Sequence, residues 1–197
     1  MKNLFIVLII FFISPLILLS EEWHVKKTNK NVVKFTSSTA LLDFDGITDK
    51  IDGYIYWEGP QMFGENNEVY FEVDLNSVET GIGKRDSDMR EDVLETDKWP
   101  ITSFRGIIKD VTVADNDSSM YNVSSIGKMF IHGIERELQL DAQIKIDGEV
   151  MTIQTDFSVF LNDYEIEAPS LLAFIKVAEE IKLHLNFQLE KYQESIN

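Results

Sequence analysis

Apolar and polar residues alternate with a period of two along most of the chain, the pattern of strands that bury one face. Val69, Phe71, Val73 and Leu75 alternate with Tyr70, Glu72 and Asp74, and Met129 and Ile131 with Lys128 and His132. Leu138, Leu140, Ala142, Ile144 and Ile146 alternate with Gln139, Asp141, Gln143 and Lys145. Phe157, Val159 and Leu161 follow, and Ile181, Leu183, Leu185, Phe187 and Leu189 make the last run. Weaker patterns predict strands at 32–38, 52–57 and 102–111. Turn signals at 64–67, 115–119 and Asp147-Gly148 separate these runs. About eight strands of this kind define an all-β chain, folded as an antiparallel sandwich or a closed barrel.

Two stretches break the alternation. Residues 84–98 are dense in charge and carry Met89, Val93 and Leu94 at helical spacing before Trp99-Pro100. This predicts one amphipathic helix, in which Asp86 and Arg90 can pair four residues apart. A second apolar patch at 169–177 opens on Pro169-Ser170 and predicts a short helix before the last strand.

Residues 1–20 carry Lys2 and then an apolar run from 4 to 19, interrupted at Ser14 and Pro15. The run is short for a bilayer span of roughly 20 residues, which favours a cleaved export signal over a retained anchor. Either form places residues 21–197 outside the cytoplasm, as one periplasmic or secreted domain without stable membrane insertion after cleavage.

Composition then narrows the function. The 34 acidic residues outweigh 18 basic ones, giving a formal charge of −16. No basic footprint for nucleic acid or for an anionic bilayer exists in such a balance. With no cysteine, the chain has no disulfide, thiolate metal site, thiol nucleophile or acylated lipoprotein anchor. Neither a cofactor nor a metal is expected.

The residues that could carry chemistry have plainer readings. Gly81-Ile-Gly83 lacks the third glycine and the βαβ context of a dinucleotide loop, so it reads as a turn. Asp115, Asp117 and Ser119 begin like a calcium loop, but Met120 and Ile126 occupy its glycine and closing glutamate positions. His24 stands near the start of the mature chain, and His184, on the polar face of its strand, reads as a surface residue. His132, in Ile131-His-Gly133, stands at a strand end where it can bond a nearby loop or a ligand head. Paired carboxylates such as Asp86 and Asp88 leave an exported hydrolase as one alternative. The acidic surface leaves an envelope stress or protein-interaction factor as another.

Several segments resemble the YceI-like family. They are Val73–Thr80 (VDLNSVET), Arg85-Asp86 with Met89-Arg90, Lys98–Phe104 (KWPITSF), 127–134 (GKMFIHGI), Leu138-Gln-Leu140 and 157–164 (FSVFLNDY). They run in the family's order from about residue 32 to 189. The resemblance implies an extended, lipocalin-like antiparallel barrel of eight strands with one or two short helices near one end. It also implies an exported, non-enzymatic binder or carrier of a polyisoprenoid or another long-chain amphiphile, with a homodimer left open. The stretch VVKFTSST at 32–39 lacks the histidine that the family often carries there, so no role of that histidine transfers.

A barrel of this size is filled by side chains or holds one small ligand. The inward set predicted by the alternation is Phe71, Val73, Leu75, Phe104, Met129, Ile131, Leu138, Leu140, Phe157, Val159, Leu161, Leu183, Leu185 and Phe187. Lys84, Arg85, Asp86, Arg90 and His132 are the candidates for the rim, beside a ligand head.

Overall fold

The computed structural model describes residues 20–115, 117–172 and 175–192. The expected leader lies, apart from Ser20, outside the described residues. Among the described residues there are twelve strands: β1 (Ser20–Val25), β2 (Val32–Ser38), β3 (Asp43–Thr48), β4 (Ile51–Glu58), β5 (Glu68–Asp74), β6 (Ile101–Ala114), β7 (Asp117–Ile131), β8 (Ile134–Asp147), β9 (Val150–Phe160), β10 (Ser170–Leu172), β11 (Ile175–Lys176) and β12 (Glu180–Lys191). One α-helix, α1 (Gly83–Asp88), lies between β5 and β6.

Eight strands close an antiparallel ring in the order β1-β4-β5-β6-β7-β8-β9-β12, with β12 returning to β1. The fold expected from the alternation is therefore present. The closing edge is divided, however. β2 pairs with residues 182–186 of β12 and β1 with residues 189–191. β3 flanks β2 and meets the segment after β5 through the Ile47–Glu79 bridge, with Thr48 Oγ1 2.6 Å from Ser77 Oγ. One end of the barrel is thus closed by β1 and β4, the other by β2, β3 and residues 77–79.

Where strands part, an asparagine side chain takes the place of a strand partner. Asn31, 2% exposed, accepts from the Gln188 amide at 3.1 Å and donates to the Lys26 carbonyl at 2.9 Å, between β1 and β2. Asn67 does the same at the β6 bulge near Ile108, accepting from that amide at 2.6 Å and donating to its carbonyl at 3.1 Å. Both are consequences of the rule that buried backbone groups must be paired.

The β7–β8 connection is the two-residue turn His132-Gly133, with φ of +51° and +80°, which matches the twist of the flanking strands. At the end where β1 meets β4, Trp23, Trp57, Phe63, Met151 and Leu189 are all buried, and the rings of Trp57 and Phe63 lie 5.1 Å apart. They plug this end of the barrel.

Two sequence expectations are corrected. The single helix expected at 84–98 is α1 followed by a π-helical turn at Met89–Val93, where the Leu94 amide donates to the Met89 carbonyl. Glu95 then reverses the chain at φ +44°, held by Lys98 and by His132. The described residues of 169–177 are extended, not helical: β10 and β11 pair as a small hairpin, and Val177 bridges Thr39 at the end of β2. The free edge beyond β2 draws this apolar segment into extended pairing.

β1 and β3 were not predicted, because both are short and β3 (DFDGIT) is poor in strand formers. Phe35 compensates in β3, lying across Gly46 in register so that its ring fills the space of the missing side chain.

Replacing Asn31 with alanine leaves the Gln188 amide and Lys26 carbonyl unpaired. Asn31→Ala is expected to lower unfolding free energy by about 1–3 kcal/mol with an unchanged m-value, measured by urea denaturation.

Candidate functional site

The barrel is hollow. Beyond the aromatic plug lies a cavity of about 630 Å³ that opens beside α1, within the roughly 300–1,000 Å³ typical of ligand pockets. Thirteen of the fourteen side chains predicted to face inward line it: Phe71, Val73, Leu75, Phe104, Met129, Ile131, Leu140, Phe157, Val159, Leu161, Leu183, Leu185 and Phe187. Leu138 does not. It packs partly buried against the core, near the point where Arg136 donates to the Asp163 carbonyl and ties β8 to the turn at Leu161–Tyr164.

The sequence reading missed the contribution of the divided edge. Val33, Phe35, Ser37 and Phe44 of β2 and β3 line the cavity, as do Ile51 and Ile55 of β4. Their alternation was visible in 32–38 and 52–57, but nothing in it placed those strands on the inner wall. The hydroxyls deep in the wall mostly serve the barrel's own backbone. Thr102 donates to the Phe130 carbonyl at 2.7 Å, Ser125 to that of Leu140 at 3.2 Å, and Thr155 to that of Asp141 at 2.8 Å.

The mouth is built by the helical insertion, which contributes Ile82, Met89, Val93 and Leu94 as apolar cover and Lys84, Arg85, Asp88 and Asp92 as charges. Residues 78–80 fasten it. Asp86, 8% exposed, accepts from the Thr80 amide at 2.9 Å and the Thr80 hydroxyl at 2.5 Å. Arg85 Nε donates to Thr80 Oγ1 and its Nη2 to the Thr80 carbonyl, both at 2.8 Å. Arg90 Nη2 donates to the Val78 carbonyl at 3.0 Å. Because Glu79 is bridged to β3, the mouth cover and the divided edge form one connected structure.

Of the five rim candidates, only Lys84 and Arg85 line the cavity. Asp86 and Arg90 anchor the insertion instead. They do not form the ion pair expected from their spacing; the four-apart pair in α1 is Lys84–Asp88. His132 also serves the scaffold, with Nε2 3.0 Å from Glu95 Oε2 and Nδ1 3.4 Å from the Tyr164 carbonyl. Lys98, and after it His132, hold the Glu95 carboxyl below its usual range. His24 lies 2.8 Å from Glu22 and His184 lies 2.7 Å from Asp156, both on the outer surface. Gly81, at φ +80°, and Gly83 form the turn into α1. Asp117 accepts from the amide and hydroxyl of Ser119 at the start of β7.

A closed antiparallel barrel, plugged at one end and opening at the other onto a deep apolar cavity, is of the lipocalin-like class. The chain belongs to the YceI-like family, whose YceI-like domain matches residues 23–189. No curated protein matches it. Its fold is similar to that of BcnA from Burkholderia cenocepacia, at 16% identity and a TM-score of 0.67, over 83% of this chain and 98% of that one. It is similar too to a polyisoprenoid-binding domain from Saccharophagus degradans implicated in plant cell wall breakdown, at 15% identity and a TM-score of 0.65, over 89% and 99% of the chains. The YceI protein of Campylobacter jejuni matches with 16% identity and a TM-score of 0.54, over 76% and 85%.

Burial pushes the Asp86 carboxyl up, but the two bonds from Thr80, with Arg90 and Arg85 nearby, outweigh it and hold its pKa below the ordinary value. A carboxyl depressed in the folded state contributes stability above its unfolded pKa of about 3.9 and loses it as pH falls through the lower folded value. Asp86→Ala is therefore expected to lower the melting temperature at neutral pH by about 3 °C, the size of one lost cap-type bond in a chain of this length. The gap should narrow as thermal scans are taken to pH values below the ordinary carboxylate range.

Proposed function

We propose that the protein is an exported, non-enzymatic binder or carrier that holds a polyisoprenoid or another long-chain amphiphile in the barrel. The observation that carries this reading is the hollow interior: a wall of aliphatic and aromatic side chains encloses about 630 Å³ and opens at one mouth. An apolar chain gains about 0.8 kcal/mol for each CH₂ it buries there, so strong retention requires few polar contacts.

Family membership supports the same reading, as does the S. degradans neighbour described as polyisoprenoid-binding. Export is supported by Lys2 and the apolar run that follows it. A hydrolase based on Asp86 and Asp88 is less well supported, because Asp86 is bonded to Thr80 and Asp88 to Lys84.

Organic extraction of natively purified protein, read by mass spectrometry, should release a long-chain lipid, and emptied protein should take up a fluorescent long-chain probe. Ala142, on the cavity wall, provides the control: Ala142→Trp should weaken probe uptake at least about tenfold while the β-sheet circular dichroism is retained. Recovery of no lipid together with no probe uptake by the parent protein would refute the proposal.

A further inference from the structure

One side chain in the cavity wall differs from the rest. Ser37 of β2 is 2% exposed and lines the cavity, and its Oγ has no hydrogen-bond partner among the described residues. Thr102, Ser125 and Thr155, by contrast, all donate to backbone carbonyls. A buried hydroxyl without a partner is destabilising, and such groups are uncommon in folded proteins.

The surroundings of Ser37 indicate what would bond it. Phe44 stands directly across from it in the β2–β3 register and also lines the cavity. The Arg85 guanidinium lies over that same ring, with Cζ 4.7 Å from its centroid. Arg85 is held there by two bonds to Thr80, made through Nε and Nη2 and not through Nη1. Ser37, whose hydroxyl can donate or accept, and Arg85, which only donates, thus flank one aromatic wall, so the group that both can bond is a hydrogen-bond acceptor.

Charge decides which acceptor. The cavity lining holds Lys84 and Arg85 against Asp88 and Asp92, a balanced set, and Lys84 is paired with Asp88. A phosphate head would bring about −1.5 to −2 charges into a site with no net positive charge to receive them. A neutral oxygen, in a ketone, ester, amide or alcohol, adds no such charge.

We propose that Ser37 is a hydrogen-bond anchor for the neutral, oxygen-bearing head of a long-chain amphiphile, with Phe44 as its flat wall and Arg85 as a second donor. This rests on the cavity being the lipid site. It adds the position of the head and its chemical class: uncharged rather than phosphorylated.

The test uses emptied full-length protein and three probes of equal chain length: a methyl ketone, an n-alkane and an alkyl phosphate. Each displaces a fluorescent long-chain reporter. The wild type should prefer the ketone to both others by about tenfold, the worth of one net hydrogen bond. Ser37→Ala should lose the ketone preference while keeping its alkane affinity, and Ser37→Thr should restore it. Without ligand, Ser37→Ala should also melt higher than the wild type, since it removes an unpaired buried hydroxyl.

Equal binding of ketone and alkane by the wild type, tightest binding of the phosphate, or a lower melting temperature for Ser37→Ala would each overturn the anchor while the cavity still takes up chains. Failure of all three probes to displace the reporter, or of the reporter to bind, would overturn the lipid site itself and the anchor with it.

Discussion

Backbone pairing along one edge of β12 governs the rest of this barrel. A closed sheet has no free edge only if each strand finds partners along its whole length. β12 is a 12-residue strand whose neighbour is β1 at one end and β2 at the other. The interruption at residues 26–31 is tolerated because Asn31 pairs the amide that would otherwise be orphaned. The division separates the barrel into two regions with different tasks. Around β1 and β4, tryptophan, phenylalanine, methionine and leucine side chains fill the interior. Around β2 and β3 the circumference includes residues 77–79, and the interior is left open.

The mouth depends on that wider end. The insertion between β5 and β6 has only a six-residue α-helix, too short to be stable by itself. Its position comes from the backbone of Val78 and Thr80, to which Arg90, Arg85 and Asp86 are all bonded. Glu79, between those two residues, is bridged to Ile47 of β3. Cover and edge are therefore coupled: moving β3 would move α1 across the cavity opening. On the opposite side Glu95, Lys98, His132 and the Tyr164 carbonyl make a second set of ties between the insertion, the β7–β8 turn and the segment at 161–164.

The long strands and their inner face were legible in the sequence because period-two alternation survives wherever one face is apolar and the other solvated. Met129, Leu140, Val159 and Phe187 followed directly from it. Leu138 has the same periodicity but lies near the covering turn at 161–164, which spacing along one strand cannot reveal. β3 was hidden because Phe44 and Ile47 are separated by Asp45 and Gly46, and Gly46 relies on Phe35 of another strand. The Asp86–Arg90 pair was a local inference that a non-local partner defeated, since Thr80 is already close enough to claim Asp86. The hairpin at β10 and β11 is likewise decided by an edge in the fold and not by the apolar composition of 169–177.

The charge of the chain and the emptiness of its interior belong to one arrangement. Glu72, Asp141, Asp156 and Glu190 sit on outward strand positions, while the deep wall is formed by residues such as Ile153, Val159 and Phe187. Protein interiors normally reach close packing, and a void forfeits dispersion contacts on every atom that lines it. A barrel held open by its own backbone closure is thus less stable than one with its interior filled. An apolar occupant that binds the folded chain alone supplies the missing contacts and raises stability by mass action. The acidic exterior keeps such a barrel dispersed in water without entering that balance. Selectivity among apolar occupants must then come from the few polar positions on the wall.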